Sequence, residues 1–222
     1  NLPAVSENEI TSFIEQYGTC GVNETEADFC CRINCAGSFR VHGYLQNGFL
    51  ALAVRIIKSA VPSLSDLSAS SVLEKLAMQR SGLILVTGPA GSGKSTTLAA
   101  MIDFINRNKS AHIVTLEDPP EYRFTEDKSI ISQRQVGSDT GSFALGLRAA
   151  LRQAPDVIMI GELRDAQTAA GAVSAAETGH LVLATLHTRS AVLAVSRMLD
   201  FFAPEKQQQM RAQLAENLQA VI

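Results

Sequence analysis

Short, wholly apolar segments alternate with longer segments of helical periodicity over the second, larger part of the chain. We predict strands there at Leu83–Thr87, Ile113–Leu116, Val157–Ile160 and Leu181–Leu186. Strands that are apolar throughout are typical of a parallel sheet covered on both faces, because neither face meets water. The alternation with helices therefore predicts an α/β fold from about residue 72 onward.

The segments around these strands carry helix signals. Leu98, Met101, Ile102 and Ile105 recur at the i, i+3, i+4, i+7 spacing of one buried helix face. Further helices are expected at about 72–79, from a Ser142 cap through Leu151, from Asp165 to Gly179, around Leu199 and Phe202, and from Pro204 through Met210, Leu214 and Leu218.

The first 60 residues have a mixed pattern that leans towards β structure. We predict strands at Asp28–Asn34, Ser38–Leu45 and Ala51–Lys58, which would form a small antiparallel sheet. The change of pattern predicts an N-terminal domain at 1–60, a linker at 61–71 and an α/β domain at 72–222.

The composition is that of an ordinary globular protein. Of 222 residues, 46% are hydrophobic and 18% are charged, which excludes disorder or a coiled coil as a description of the whole chain. A formal net charge of −3 argues against nucleic acid as a partner. No apolar run approaches the roughly 20 residues that span a bilayer, so we expect a soluble protein. The chain opens at Asn1 without an export signal and shows no stop signal before Ile222, so we expect a fragment truncated at both ends.

Four cysteines lie close together near the start of the chain, at Cys20, Cys30, Cys31 and Cys35. Their spacing lacks the paired Cys-x-x-Cys of zinc ribbons, and adjacent Cys30 and Cys31 would face opposite sides of a strand. We interpret them as reduced structural thiols, with metal binding or a disulfide as the alternative.

A glycine-rich segment follows the strand predicted at Leu83–Thr87. Its sequence, Gly88-Pro-Ala-Gly-Ser-Gly-Lys94-Ser95, fits the G-x-x-x-x-G-K-[ST] pattern between a strand and an amphipathic helix. Glycines let successive N–H groups point at one phosphate, Lys94 adds a positive charge, and the Ser95 hydroxyl suits Mg²⁺. The alternative is a plain glycine-rich turn. The residues expected to bind the nucleotide are Gly88, Ala90, Gly91, Ser92, Gly93, Lys94, Ser95 and Thr96.

Carboxylates follow two other predicted strands at the edge where ligands of open α/β sheets bind. Glu162 comes after one strand and is a candidate for orienting the attacking water in ATP hydrolysis. The generic pattern places Asp before this Glu to help hold the metal, but this chain has Gly161 there. Glu117 and Asp118, which end the neighbouring strand, are the candidates to supply the missing carboxylate. With Ser95 they form the predicted set of metal ligands. The equal alternative is that they cap a turn before the two prolines that follow.

Two histidines lie at opposite ends of the last predicted strand. At about 3.3 Å per residue, His180 and His187 should be about 20 Å apart, so only His187 can approach a phosphate at the carboxyl edge. For His180 a structural role is favoured, and contact with a neighbouring subunit is the alternative.

Four sequence blocks in order resemble one known family. Gly88 to Ser95, Thr115 to Tyr122, Pro155 to Asp165, and Thr178 to Thr188 are similar to the Walker A, Asp box, atypical Walker B and His box of the secretion ATPase superfamily. Within it the chain is most similar to PilT-type ATPases, which retract type IV pili. The resemblance extends over about residues 39–222.

The resemblance implies a homo-hexameric ATPase that binds ATP and Mg²⁺, with a RecA-like domain preceded by a partial PAS-like α+β domain. It implies a cytoplasmic protein, peripheral to the inner membrane, whose partners are the membrane platform protein and the pilus machinery rather than nucleic acid. In such proteins Glu162 is the catalytic base, Glu117 assists at the metal and the water, and His187 senses the γ-phosphate. Arg40 and Arg55 resemble arginines that reach the phosphates, with a solvated strand face as the alternative.

Other functions stay open on the sequence. The region in which retraction ATPases carry a further motif is absent, so an assembly or type II secretion ATPase is an alternative. A nucleotide-dependent scaffold without appreciable turnover is another, and a RecA-like DNA translocase is disfavoured by the charge. Ala90, Ala154 and Arg189 depart from the usual residues of the family blocks without an obvious loss of chemistry.

Overall fold

The computed structural model describes residues 5–18, 26–34, 36–58, 60–67 and 71–222. The chain divides into two compact units. The first comprises Asn1–Ala60 with Glu121–Arg123, and the second comprises Val61–Pro120 with Phe124–Ile222. Glu121–Arg123 joins the first unit because Lys58 and Tyr122 form a bridge, a long-range contact that the local sequence does not predict.

The described residues of the first unit form a helix and a three-stranded antiparallel sheet in which consecutive strands pair. Val41 is fully buried on one face of this sheet, where it packs in a cluster with Ile14 and Phe29. The strands predicted for this region are confirmed, with bounds that differ by one or two residues. The elements are α1 (Glu7–Tyr17), β1 (Glu26–Ile33), β2 (Gly37–Gln46) and β3 (Phe49–Ile57).

The helix α1 corrects the β-leaning interpretation of the first residues. Ser6 caps it, and the Ser6 hydroxyl and backbone N–H both donate to a Glu9 carboxylate oxygen, at 2.7 and 2.8 Å. These hydrogen bonds lower the pKa of Glu9 from its ordinary value. The Ser-x-x-Glu signal of this capping box is present in the sequence and would have predicted the helix.

Two of the four cysteines, Cys30 and Cys31, lie among the described residues, on β1. Cys31 is buried as a free thiol, and Cys30 beside it is half-buried. Burial, with a smaller contribution from neighbouring Cys30, raises the pKa of Cys31, so the reactive thiolate is disfavoured there. Cys20 and Cys35 lie outside the described residues.

The second unit is built on a six-stranded sheet in the order β6-β5-β7-β8-β4-β9, and every paired strand is parallel. The α/β class with a parallel sheet is therefore confirmed. The strands are β4 (Gly82–Thr87), β5 (His112–Glu117), β6 (Ile130–Gln135), β7 (Val157–Ile160), β8 (Leu181–Leu186) and β9 (Leu218–Val221).

Helices cover both faces of this sheet. Ile84 and Val86 pack with α3 on one face, and the alternating Leu83 and Leu85 pack with α4 to α7 on the other. The helices are α2 (Ser71–Ala77), α3 (Lys94–Asn108), α4 (Phe143–Ala150), α5 (Ala166–Glu177), α6 (Ala191–Asp200) and α7 (Pro204–Asn217), with a short 3₁₀ helix at Leu151–Gln153. No helix in the described ranges is long and apolar enough to cross a membrane.

Two strands were missing from the sequence interpretation. β6 is an edge strand that carries polar side chains, so it lacks the apolar run of a central strand. β9 begins at Leu218, which was assigned to the last helix, and it pairs with β4 instead. Of the predicted linker at 61–71, residues 68–70 lie outside the described residues.

Candidate active site

The glycine-rich segment forms a loop between the end of β4 and the start of α3. Gly91 and Gly93 have φ angles of 77° and 97°, in the left-handed region that favours glycine. A Cβ atom at either position would meet nothing within 4 Å, so the surface beside these two glycines is open. A Cβ on Gly88 would instead lie 2.5 Å from the Ser92 hydroxyl, which shows how tightly the loop curls.

The start of α3 is suited to an anion. No side chain caps this helix at Gly93, which is also true of α6 and α7 but not of α1, α4 and α5. The first N–H groups of a helix have no partner within the helix, and the helix dipole adds positive potential there. An uncapped helix start beside open glycines therefore fits a phosphate group.

Lys94 is held within this loop. Its side chain is only 8% exposed for a residue that normally extends into solvent, and its Nζ donates to the carbonyls of Gly88 and Pro89 at 2.9 Å each. The same Nζ lies 3.5 Å from Nδ1 of His187. The loop thus carries a fixed positive charge that faces the carboxyl end of β8.

Glu162 follows β7 and lies in a chain of polar contacts. Its Oε2 accepts from Nε of Arg164 at 2.7 Å, and its Oε1 is 3.4 Å from Nε2 of His187. Arg164 also approaches Asp118 at 3.5 Å. Because the Lys94 ammonium can only donate and the Glu162 carboxylate accepts, both contacts of His187 suit a ring protonated on Nε2. These contacts therefore connect Lys94 to Asp118 through side chains that follow four strands, β4, β8, β7 and β5.

Gly161 stands where the generic pattern has an aspartate, and the surrounding backbone leaves little room for a side chain there. The Gly161 N–H donates to the Leu116 carbonyl at 2.7 Å, so the segment after β7 lies against β5. A Cβ at Gly161 would lie 3.2 Å from Leu116 O and 3.4 Å from Glu117 Cα. The distance to Leu116 O is tighter than an ordinary contact, so the close approach of the backbone disfavours a side chain such as aspartate here.

Glu117 is bonded to side chains of β5 and β6. Its side chain is buried, and its Oε1 accepts from Thr115 Oγ1 and from Gln133 Nε2 at 2.8 Å each. These bonds do not match a simple turn cap, the alternative from the sequence. Sequence reasoning missed Gln133, because it lies on the unpredicted edge strand β6, and it assigned Arg164 no role, although Arg164 contacts both Glu162 and Asp118.

A protein-only metal cage is not formed by the described part of the chain, where no three His, Cys, Asp or Glu side chains cluster suitably. Mg²⁺ commonly uses one or two protein ligands together with phosphates and water. Ser95, in the first turn of α3, fits such a partial ligand set. Glu117 ends β5 and Asp118 follows it at the same edge of the sheet, with β7 and β8 between β5 and β4.

His180 lies at the opposite edge of the sheet. Its Nδ1 is 2.9 Å from the Ala175 carbonyl and 3.2 Å from Thr178 Oγ1, and its backbone N–H also donates to Ala175. Since a carbonyl only accepts, Nδ1 donates, and the side chain completes the C-terminal end of α5. The geometry agrees with the structural role that the sequence favoured.

The two N-terminal arginines lie in the other unit. Arg40 and Arg55 are directly opposite each other on β2 and β3. Arg40 lies 3.9 Å from Asp28, which also contacts His42 at 3.2 Å. Arg40 is therefore on the polar face of the sheet, as expected, and the role of both arginines at the phosphates stays a prediction.

The glycine-rich loop lies between a strand and a helix of a parallel sheet, and an acidic residue lies at the carboxyl edge of that sheet. This arrangement defines the P-loop nucleotide-binding class. The sequence model of the family described as Type II/IV secretion system protein matches residues 51–222. The chain belongs to this family.

Individual relatives give the comparison more detail. The chain is 45% identical over 197 residues to the "Type IV pilus retractation ATPase PilT" of Pseudomonas aeruginosa, covering 89% of this chain and 57% of that protein. The solved structure titled "Crystal Structure of the Pilus Retraction Motor PilT and Bound ADP" is 46% identical with a TM-score of 0.86, covering 95% of this chain and 59% of that one. The "Type II secretion system protein E" of Aeromonas hydrophila is 50% identical, but over 60% of this chain and 26% of its own length. The chain thus spans less than two thirds of the length of the relatives it matches.

Proposed function

We propose that the protein hydrolyses ATP and uses the energy to retract a type IV pilus. The observation that carries this proposal is the contact chain from Lys94 of the phosphate loop through His187 to Glu162. It joins a phosphate-binding charge to a carboxylate that can align water, which are the two elements that hydrolysis of a phosphoanhydride requires.

In this mechanism the N–H groups of the loop and of the first turn of α3 bind the phosphates. The phosphates compete with the Gly88 and Pro89 carbonyls for the Lys94 ammonium. When this ammonium moves towards the phosphates, its contact with His187 changes as well. Glu162 orients the attacking water and accepts its proton, while Arg164 and His187 fix the direction of the carboxylate. Mg²⁺, held by Ser95 and by carboxylates that include Glu117 and Asp118, would neutralise charge on the phosphates.

The proposal extends to the assembly. The first unit is a PAS-like domain, the second unit is RecA-like, and six copies form a ring in which Arg40 and Arg55 reach the phosphates. Such a protein works in the cytoplasm, at the inner-membrane face of the pilus machinery, against the platform protein. Arg40 and Arg55 lie opposite each other on neighbouring strands, where their like charges repel. A bound anion would relieve this repulsion, which supports a role at the phosphates.

Retraction is favoured over secretion because the pilus relative matches a larger share of this chain than the secretion relative does. The pilus protein matches 89% of this chain, and the secretion protein matches 60%. In a bacterium that carries the gene, deletion is expected to leave pili that extend but do not retract. Loss of all surface pili on deletion would favour assembly instead.

The biochemical test is phosphate release by the whole protein with Mg-ATP. Glu162→Gln should retain ATP binding while kcat falls by about 100-fold or more, because the amide cannot accept the proton. Glu205→Gln, in the first turn of α7, serves as the matched control and should leave kcat unchanged. A wild-type protein that binds ATP without releasing phosphate would instead be a scaffold, and salt-sensitive binding to DNA would favour the translocase.

A further inference from the structure

Glu162 lies just beyond regular secondary structure. β7 ends at Ile160, and the last paired residues of β7 and β8 are Ile160 and Ala184. The strand ladder therefore does not hold the backbone of Glu162. A carboxylate that aligns water needs a fixed position, since a displacement of about 1 Å can cost about 100-fold in rate.

Thr185 supplies bonds on both sides of Glu162. Its hydroxyl donates to the Gly161 carbonyl, and its own carbonyl accepts from the Leu163 N–H at 3.0 Å. Thr185 is 3% exposed and is the single polar residue in the sequence of β8, Leu-Val-Leu-Ala-Thr-Leu. A hydroxyl that is buried in an apolar strand must find a partner, and its partner here is the segment that carries Glu162.

The same segment is fixed from its other side. The Gly161 N–H donates to Leu116 of β5, so Gly161 is held between β5 and β8. The Leu163 side chain is 2% exposed, which anchors the residue after Glu162 in the core. Two residues beyond Thr185, His187 contacts the Glu162 carboxylate. One strand end thus holds both the backbone and the side chain of Glu162.

We propose that Thr185 is a positioning residue, which fixes Glu162 relative to His187 and the phosphate loop. It acts through Glu162 and does not itself touch the nucleotide. The proposal rests on the ATPase function proposed above. It predicts that loss of the hydroxyl lowers kcat without lowering the affinity for ATP.

The test is Thr185→Val in the whole protein, with Thr185→Ala as a second variant that cannot overpack the site. Both should lower kcat by about 10- to 100-fold, with KM and ATP binding within about twofold of wild type. Thr185→Ser keeps the hydroxyl and should restore most of kcat. Thr168→Val is the matched control, because Thr168 is fully buried and its hydroxyl donates to Asp165 in the cap of α5.

A double-variant comparison separates positioning from general destabilisation. In a Glu162→Gln background, Thr185→Val should leave the residual turnover unchanged, since Thr185 has no carboxylate left to position. Three results would each overturn the proposal. They are a double variant in which the two losses of kcat multiply, a loss of kcat in Thr168→Val as large as that in Thr185→Val, and a wild-type kcat in Thr185→Val. Absence of phosphate release from wild type would overturn the ATPase function as well, so the two failures are distinguishable.

Discussion

The two edges of the parallel sheet carry similar residues in opposite roles. At the carboxyl edge, His187 contacts two charged side chains, Lys94 and Glu162. At the amino edge, His180 is bonded to the Ala175 carbonyl at the end of α5. His112 likewise lies 3.1 Å from the Gln153 carbonyl at that edge. The two histidines at the amino edge thus contact backbone carbonyls, whereas His187 at the carboxyl edge contacts charged side chains.

The cause of this difference is the direction of the helices. Helices that follow parallel strands begin at the carboxyl edge and end at the amino edge, so N–H groups collect at one edge and carbonyls at the other. The carboxyl edge therefore attracts anions, and donors such as histidine N–H complete the amino edge. A residue type has a different role at each edge because the backbone there presents the opposite partner.

The largest expected effect comes from the phosphate-loop charge. Lys94→Ala should weaken ATP binding by about 100-fold or more, because it removes a buried charge that faces the phosphates. Lys109→Ala, at the other end of α3, is the control and should retain binding. Titration with a fluorescent nucleotide measures both. Equal affinities for the two variants would remove the loop from the binding site.

The next effect compares two glycines, one at each edge. Gly161→Ala should lower the free energy of unfolding by about 1–3 kcal/mol and also lower kcat, because a Cβ there crowds the β5 backbone beside Glu162. Gly179→Ala should cost about 1–2 kcal/mol through its φ of 101° and leave kcat unchanged. Denaturant unfolding and phosphate release distinguish the two. A full kcat in Gly161→Ala would contradict the account of this position.

The histidines give the most direct comparison of the edges. His187→Ala should lower kcat by about tenfold or more with little change in stability, because it breaks the link between Lys94 and Glu162. His180→Ala should lose about 1 kcal/mol of stability and keep kcat, because it removes a donor to Ala175. Thermal melting with steady-state kinetics checks both. The reversed outcome, with His180 catalytic, would contradict the assignment.

The smallest effect is expected at Ala154, which precedes β7 at the amino edge. Its φ of 50° lies in the left-handed region, which is unfavourable for alanine. Ala154→Gly should raise the free energy of unfolding by up to about 1 kcal/mol, with kcat unchanged. Ala149→Gly, inside α4, is the control and should destabilise the protein. Destabilisation by Ala154→Gly would mean that the backbone there is not strained.

The central strands of the second unit were predictable because each is a closed apolar run between helix signals. β7 and β8 agree with the prediction at both ends. β6 was missed because an edge strand with polar residues lacks that run. At β9, Leu218 continues the helical spacing of Met210 and Leu214, so periodicity alone favours a longer helix there.

The candidate site was predictable where one motif carries the chemistry. The sequence places Lys94 in the loop and Glu162 at the carboxyl edge, and the structure brings both towards His187. The bonds from Gln133 to Glu117 and from Thr185 to Gly161 join residues far apart in the chain. Such partners follow from strand order, which the sequence alone does not give.

The most direct measurement is a crystal structure of the whole protein with Mg²⁺ and a non-hydrolysable ATP analogue. We expect the β- and γ-phosphates against the N–H groups of residues 91–96, with the Glu162 carboxylate facing the γ-phosphate across a water position. Nucleotide bound elsewhere, or a Glu162 side chain turned away from the γ-phosphate, would contradict the proposed role of Glu162 and of the phosphate loop.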